Sequence, residues 1–384
     1  DSDLVTSAQN AGVAIYNGTN ITSNGGNSEA GNINVTGTGG NAYSQNVGVA
    51  IGDVGAAVAF NTDFGDVVID GTGGTNSLTG SNSNQGVLLD NTTVTSTGTG
   101  FEAGQVLITG QGAASEYNNY GVELPDGSAI TTADGNIGIT GTGGSDGTTG
   151  SIDNYGVYID NITVEMTGAV ASDAGTLSID GTGGAGQTAN HGVYLTGGTV
   201  IRTVAGDMDI TAQGGSSGQT NSTDNVGLYV DVSTIEMTGT AAEFGDMTID
   251  GTGANARSGN YGVYLANAST IQADEGSIDI TATGGTSSRS GTSDNHGLYV
   301  AGASEINSTG AGDDAAPITI AGTAAASEDG NIGVYISGTG SHISSAEGAV
   351  DITAVTNGFG RDNQDFVLDQ GALIETTADV TNTA

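Results

Sequence analysis

Asn154-Tyr155-Gly156-Val157-Tyr158-Ile159 decides how the chain is read: Asn, a variable residue, Gly, then two apolar residues flanking a third. It returns as Asn190-His191-Gly192-Val193-Tyr194-Leu195 and as Asn225-Val226-Gly227-Leu228-Tyr229-Val230, and again at Asn260, Asn295 and Asn331. Upstream it is found at Asn119, Asn84, Asn46 and, weakly, Asn10; downstream a degenerate copy begins at Asn363, where Asp365 replaces the Gly. From Asn10 to Asn331 the spacing is 35 to 38 residues. Self-similarity at such a period means stacked structural units.

Each repeat carries three short apolar patches. The first follows the Asn-x-Gly, as Val157 and Ile159 or Val263 and Leu265. The second is weak, as Thr163-Val164 or Thr270-Ile271, and the third is the strongest, as Leu177-Ser178-Ile179 or Ile278-Asp279-Ile280. Apolar residues two apart share one face of a strand. Three such strands cannot bury a face alone, but stacked like on like they can. The sequence therefore predicts an all-β parallel β-solenoid of about ten coils, with one coil per 35-residue repeat favoured over two smaller ones. A propeller blade would need a fourth comparable strand.

A second period of about 71 residues is superimposed. Long connectors between patches two and three (Thr167 to Gly175, Thr238 to Gly245, Ser308 to Ala316) alternate with short ones (Thr203 to Gly206, Ala273 to Gly276, Ser345 to Gly348). The tails Gly214 to Asp224 and Gly284 to Asp294 follow the short connectors. Loops on coils only ~4.8 Å apart would collide unless they alternate. Acids stagger likewise: Asp209, Asp279 and Asp351 occupy positions where the intervening repeats have Ser178, Thr248 and Thr319. Stacked like charges would destabilise a sheet. The whole chain, 1–384, reads as one solenoid domain: irregular coils over 1–83, regular coils over 84–360, a degenerate terminal coil over 361–384.

The composition excludes several classes. The 43 acidic residues stand against 4 Arg and no Lys, for a net charge of −39. That opposes nucleic-acid recognition, which needs a basic footprint, and attraction to anionic membranes. No run of apolar residues is long enough for a membrane span. Cys is absent, so there is no disulfide framework. Residue 1 is Asp and no signal peptide is visible, so the chain is read as a processed form or an excerpt.

The run Gly135-Asn136-Ile137-Gly138-Ile139-Thr140-Gly141-Thr142-Gly143-Gly144, followed by Asn154-Tyr155-Gly156-Val157, resembles bacterial surface proteins of the filamentous-haemagglutinin and autotransporter-passenger type. The resemblance covers nearly the whole chain. It implies a right-handed parallel β-helix, export to the cell surface, and adhesion or matrix building.

Three sets of residues are candidates for function. Asn46, Asn84, Asn119, Asn154, Asn190, Asn225, Asn260, Asn295 and Asn331 are expected to form a structural ladder satisfying turn amides rather than a ligand site. The Gly that follows each is expected to supply a backbone geometry other residues resist. Tyr158, Tyr194, Tyr229, Tyr264, Tyr299 and Tyr335 should face outward, either as rings stacked on a sheet surface or as a stripe for lateral association or sugar rings. Asp313, Asp314, Glu328, Asp329, Asp362 and Asp365 could offer weak calcium sites, with diffuse counter-ion attraction as the default. Tyr120, Tyr155 and Tyr261 look like turn packing, and His191, His296 and His342 like ordinary surface residues.

No repeat breaks pattern around a cluster of Asp, His and Arg, as an enzyme would at its site. The expectation is a non-enzymatic extracellular structural or adhesive protein that assembles with itself end to end or laterally. The alternative is a carbohydrate-binding passenger domain, or a carbohydrate-active one with paired carboxylates.

Overall fold

Each repeat contributes one strand to each of three parallel sheets. The computed structural model describes residues 10–26, 30–42, 44–52, 55–75, 82–144, 150–168, 174–215, 222–239, 245–286, 293–310 and 315–376. Among them are 32 strands and no helix, in sheets of eleven, eleven and ten. In each sheet a strand pairs with the equivalent strands of the preceding and following repeats, always parallel. One 35-residue repeat is thus one coil. The long connectors and long tails of the 71-residue pattern lie partly outside the described residues, as do Asp313 and Asp314.

The register places like on like. In the first sheet Val157 pairs with Val193, Val193 with Leu228 and Leu228 with Val263. In the third, Leu177 pairs with Met208, Met208 with Met247 and Met247 with Ile278. All of these side chains have no exposed surface and form one continuous core. Burying each aliphatic side chain stabilises by about 1.5–3 kcal/mol, and a one-residue slip would turn the whole set outward.

The second patch is weak in sequence because in most coils its strand keeps one large inward residue, the coils with Val164 and Met166 or Ile235 and Met237 keeping two. In Ala129–Thr132 that residue is Ile130, and the other inward position is Thr132. The Thr132 hydroxyl donates to Gly135 O at 2.6 Å across the turn to the third sheet, as Thr62 does to Gly65 O. Ser96 in the same column donates to Asp63 O at 3.2 Å, whereas the buried hydroxyls of Thr203, Ser308 and Ser345 further along it have no hydrogen-bond partner among the described residues.

The Gly of Asn-x-Gly corrects the expectation drawn from sequence. None of these glycines has a left-handed φ; the left-handed residue is the one before the Asn, as at Asp153 (φ 55), Asp224 (φ 56) and Asp294 (φ 55). What requires Gly is proximity. A Cβ on Gly192 would lie 2.4 Å from Gln213 N and 2.7 Å from Gly181 O. The first and third sheets meet there, backbone against backbone, which also explains the Gly of the Gly-Thr-Gly run.

Charges are staggered as the register dictates. Ser178, Asp209, Thr248, Asp279, Thr319 and Asp351 form one outward column of the third sheet, with neutral residues between the acids. In the second sheet Arg202 sits between Glu165 and Glu236, its Nε 2.5 Å from Glu236 Oε1 and its Nη1 3.5 Å from Glu165 Oε2. The last coil covers its core least. Val350, Ile352, Ala354, Phe366 and Ile374 line an open apolar mouth of about 420 Å³.

Candidate functional site

The first sheet and the turn that enters it carry three columns running along the rod: asparagines, half-buried tyrosines, and a mixed aromatic column between them.

The asparagines are hydrogen bonded in series. Each backbone N–H donates to the Oδ1 of the Asn one coil on, from Asn46 to Asn84 (2.9 Å) through Asn190 to Asn225 (2.8 Å) and Asn260 to Asn295 (3.1 Å). In most coils the side-chain amide donates to the same oxygen, as from Asn119 to Asn154 at 2.8 Å. Asn225 and Asn295 instead donate to Ser222 and Ser327. All nine lie at 0% exposure, so the pairing is not exchangeable with water. Asn363 continues the column although its coil has lost the Gly: Asn331 N donates to Asn363 Oδ1 at 2.9 Å.

The residue before each Asn alternates in the same way, as Asp153, Ala189, Asp224, Gly259, Asp294 and Gly330. A Cβ on Gly259 would lie 2.2 Å from Asp224 Oδ1, and one on Gly330 2.8 Å from Asp294 Oδ1. The Asp of one coil leans over the backbone of the next, where Gly259 and Gly330 also take left-handed φ values of 68 and 64.

The tyrosines are in register, Tyr158 against Tyr194, Tyr194 against Tyr229, and so on to Tyr335. From Tyr194 to Tyr335 successive rings are near-parallel, 5° to 11° apart, with centroids at 4.8 to 5.0 Å. Their faces cover one another, leaving edges and hydroxyls to solvent. Tyr158 is tilted 46° from Tyr194 at 5.6 Å. Carboxylates line the column: the Tyr158 hydroxyl donates to Asp160 Oδ2 and that of Tyr335 to Asp369 Oδ2, each at 3.3 Å. Burial raises the phenol pKa values of Tyr158, Tyr194, Tyr229, Tyr264 and Tyr299 above their ordinary range, that of Tyr299 to about 12.

The variable residue of Asn-x-Gly forms the third column, and here the reading of the histidines is corrected. His191 and His296 are buried, each 4% exposed. His191 stacks on Tyr155 at 5.2 Å and His296 on Tyr261 at 5.1 Å. Their edges meet the tyrosine column: His191 is T-shaped to Tyr194 and Tyr229, His296 to Tyr299 and Tyr335. Nδ1 of His191 accepts from Val226 N at 3.2 Å, and Nδ1 of His296 from Ile332 N at 3.1 Å. An accepting Nδ1 fixes the neutral Nε2–H tautomer. Burial accordingly lowers their pKa values to about 3 and about 4. The sequence held the signal, since the histidines share a slot with Tyr120, Tyr155 and Tyr261. His342 begins a strand of the second sheet, half-buried, with Nε2 3.7 Å from Glu305 Oε2.

Glu123 escaped the sequence reading. It occupies the tyrosine position of its coil, paired with Leu88 on one side and Tyr158 on the other. Desolvation raises its pKa to about 7, against the lowering effect of a 2.6 Å bond from Gln85 Nε2.

The other carboxylates do not converge. Among the described residues no group of three or more His, Cys, Asp or Glu gathers as metal ligands. Asp329 Oδ1 accepts from Arg361 N, Asp365 Oδ1 accepts from Thr356 N, Glu328 O accepts from Gly360 N, and Asp362 is the left-handed residue before Asn363. A groove of about 280 Å³ opens where the second sheet turns into the third, beside Gln105, Asp134, Asn136 and the 86%-exposed ring of Phe101.

No protein family, curated protein or solved structure matches this chain.

Proposed function

We propose that this chain is a non-enzymatic structural β-solenoid, part of an extracellular fibre, sheath or adhesin at a bacterial surface, which associates with copies of itself end to end or laterally. The observation that carries the reading is the unbroken like-on-like stack. Among the described residues the asparagine column passes through every regular coil and the tyrosine column through six consecutive ones. A repeat protein that devotes every coil to its neighbours makes a stiff rod. The acidic faces repel and keep the rod apart until cations or partners bridge them.

At ~4.8 Å per coil the described stack is about 50 Å long. Negative-stain microscopy of the isolated protein, with and without calcium, tests the proposal. The expected images are rods, with species longer than one stack. Discrete short particles in both conditions together with turnover of a polysaccharide would overturn it.

A second reading, carbohydrate binding, is favoured by the groove beside Phe101. An exposed ring next to amide and carboxylate side chains suits a sugar, with one apolar face and a rim of hydroxyls. A glycan-array signal lost in Phe101→Ala, with the rod intact, would establish it.

A further inference from the structure

The geometry points to the tyrosine column as a path along which a single oxidising equivalent migrates between coils, from Tyr335 toward Tyr158. Three observations meet there. Successive rings from Tyr335 to Tyr194 are stacked nearly parallel with centroids 4.8 to 5.0 Å apart, so each phenol is in face contact with the next. Carboxylates stand ready to take the phenolic proton at the two ends of the path, Asp369 at Tyr335 and Asp160 at Tyr158. Competing donors are absent or covered. The chain has no Trp and no Cys, and its four methionines, Met166, Met208, Met237 and Met247, are all buried.

The chemistry balances at each ring. A one-electron oxidant of the high-valent metal-complex class takes an electron from Tyr335. The phenolic proton passes to the Asp369 carboxylate, leaving a neutral tyrosyl radical, a carboxylic acid and the reduced oxidant. An electron from Tyr299 then reduces that radical; the Tyr335 oxygen regains its proton from Asp369, and Tyr299 releases its own to water at its exposed edge. Repetition carries the radical onward with no net change at the rings it has left. Burial raises the phenol pKa values of Tyr229 and Tyr299, so at those rings the neutral phenol is the donor and its proton leaves with the electron.

The structure also identifies the weak link. Val226 interrupts the buried aromatic column between His191 and Tyr261, and Tyr261 contacts only Tyr264, Tyr299 and His296 among the described ring contacts. Tyr264 alone therefore joins the rings on either side, through Tyr229 and Tyr299.

The absence of Cys makes a single label site straightforward. Thr339→Cys, on the exposed turn after the Tyr335 strand, is labelled with a ruthenium tris-bipyridyl complex and oxidised by flash-quench in dilute solution. A nitroso spin trap followed by peptide mass spectrometry reports which rings carried the radical. The expected result is trapping at Tyr229, Tyr194 and Tyr158 as well as at Tyr335 and Tyr299. Tyr264→Phe keeps the ring and the fold but should abolish trapping at Tyr229 and beyond, while Tyr261→Phe should leave it intact. Radicals confined to Tyr335 in the parent protein, or unchanged trapping at Tyr194 in Tyr264→Phe, would overturn the proposal. Circular dichroism of both variants guards against loss of the stack.

Discussion

Removing one rung of the asparagine column should cost far more than an average polar substitution. Asn225 is wholly buried. Its Oδ1 accepts from Asn190 N at 2.8 Å and from Asn190 Nδ2 at 2.9 Å, and its Nδ2 donates to Ser222 Oγ at 2.7 Å and Gln187 O at 3.3 Å. Asn225→Ala leaves Asn190 N with no acceptor in a place water does not reach; Asn190 Nδ2 keeps only Thr188 O. At about 1–3 kcal/mol per orphaned buried group, the Asn190 N–H together with the weakened bonding of Asn190 Nδ2 and Ser222 Oγ predicts a loss of roughly 2–4 kcal/mol. Each coil contacts only its neighbours, so the damage should stay at the junction of the Asn190 and Asn225 coils. Denaturant unfolding followed by circular dichroism should then separate into two transitions, and hydrogen exchange should show loss of protection at the Asn190 amide. Asn225→Asp supplies an internal check. It restores an accepting oxygen but places a carboxylate in the core, so it should be milder than Ala at pH 4 and worse at pH 8. A loss below about 1 kcal/mol with the Asn190 amide still protected would refute the reasoning, because that outcome requires the orphaned groups to find other partners.

The other predictions follow from burial and charge. His191 and His296 are held below their ordinary pKa of 6.5, so their stabilisation is present above that pH and is lost as pH falls toward about 3 and about 4, respectively. At 1.36 kcal/mol per unit, roughly 3 kcal/mol per site should disappear by pH 4; urea midpoints across pH 7 to 4 should fall less steeply in the His191→Tyr, His296→Tyr double variant, and an unchanged slope would count against the buried-ring account. Glu123 has the opposite sign: its raised pKa makes the protonated form the better one in the fold, so stability is present near pH 4.5 and is lost as pH rises through about 7. Glu123→Gln should therefore stabilise by roughly 1–3 kcal/mol at pH 8 and change little at pH 4, read from thermal melting at the two pH values. Gly227→Ala places a Cβ 2.5 Å from both Gly262 O and Thr252 N. Backbone on both sides cannot yield cheaply, so a loss above about 2 kcal/mol is expected in the same denaturant assay, with no effect ascribable to φ.

Much of the architecture is written in the period. Because side chains alternate faces along a strand, the pairs Val157 and Ile159 or Leu177 and Ile179 name the inner face without any coordinates, and a 35-residue recurrence allows only a stack. The alternation of Asp209 with Ser178 and Thr248 is equally legible, since it is a statement about neighbours one repeat apart. What the sequence left open was decided by contacts between residues that are not neighbours in that sense. The variable slot of Asn-x-Gly looks like turn surface in the linear pattern, yet His191 and His296 are buried there, because the turn folds back beside the tyrosine column and rings from two positions interlock edge to face. Glycine after Asn seemed a matter of backbone torsion; its cause is the approach of the third sheet's backbone, which no local pattern encodes. Glu123 became a titratable site only through the coil above and the coil below. Local alternation and repeat length settle which face is in and how units stack, being properties of one strand and its copies. Burial at the corners depends on how three sheets close around one core, and only the folded chain fixes that.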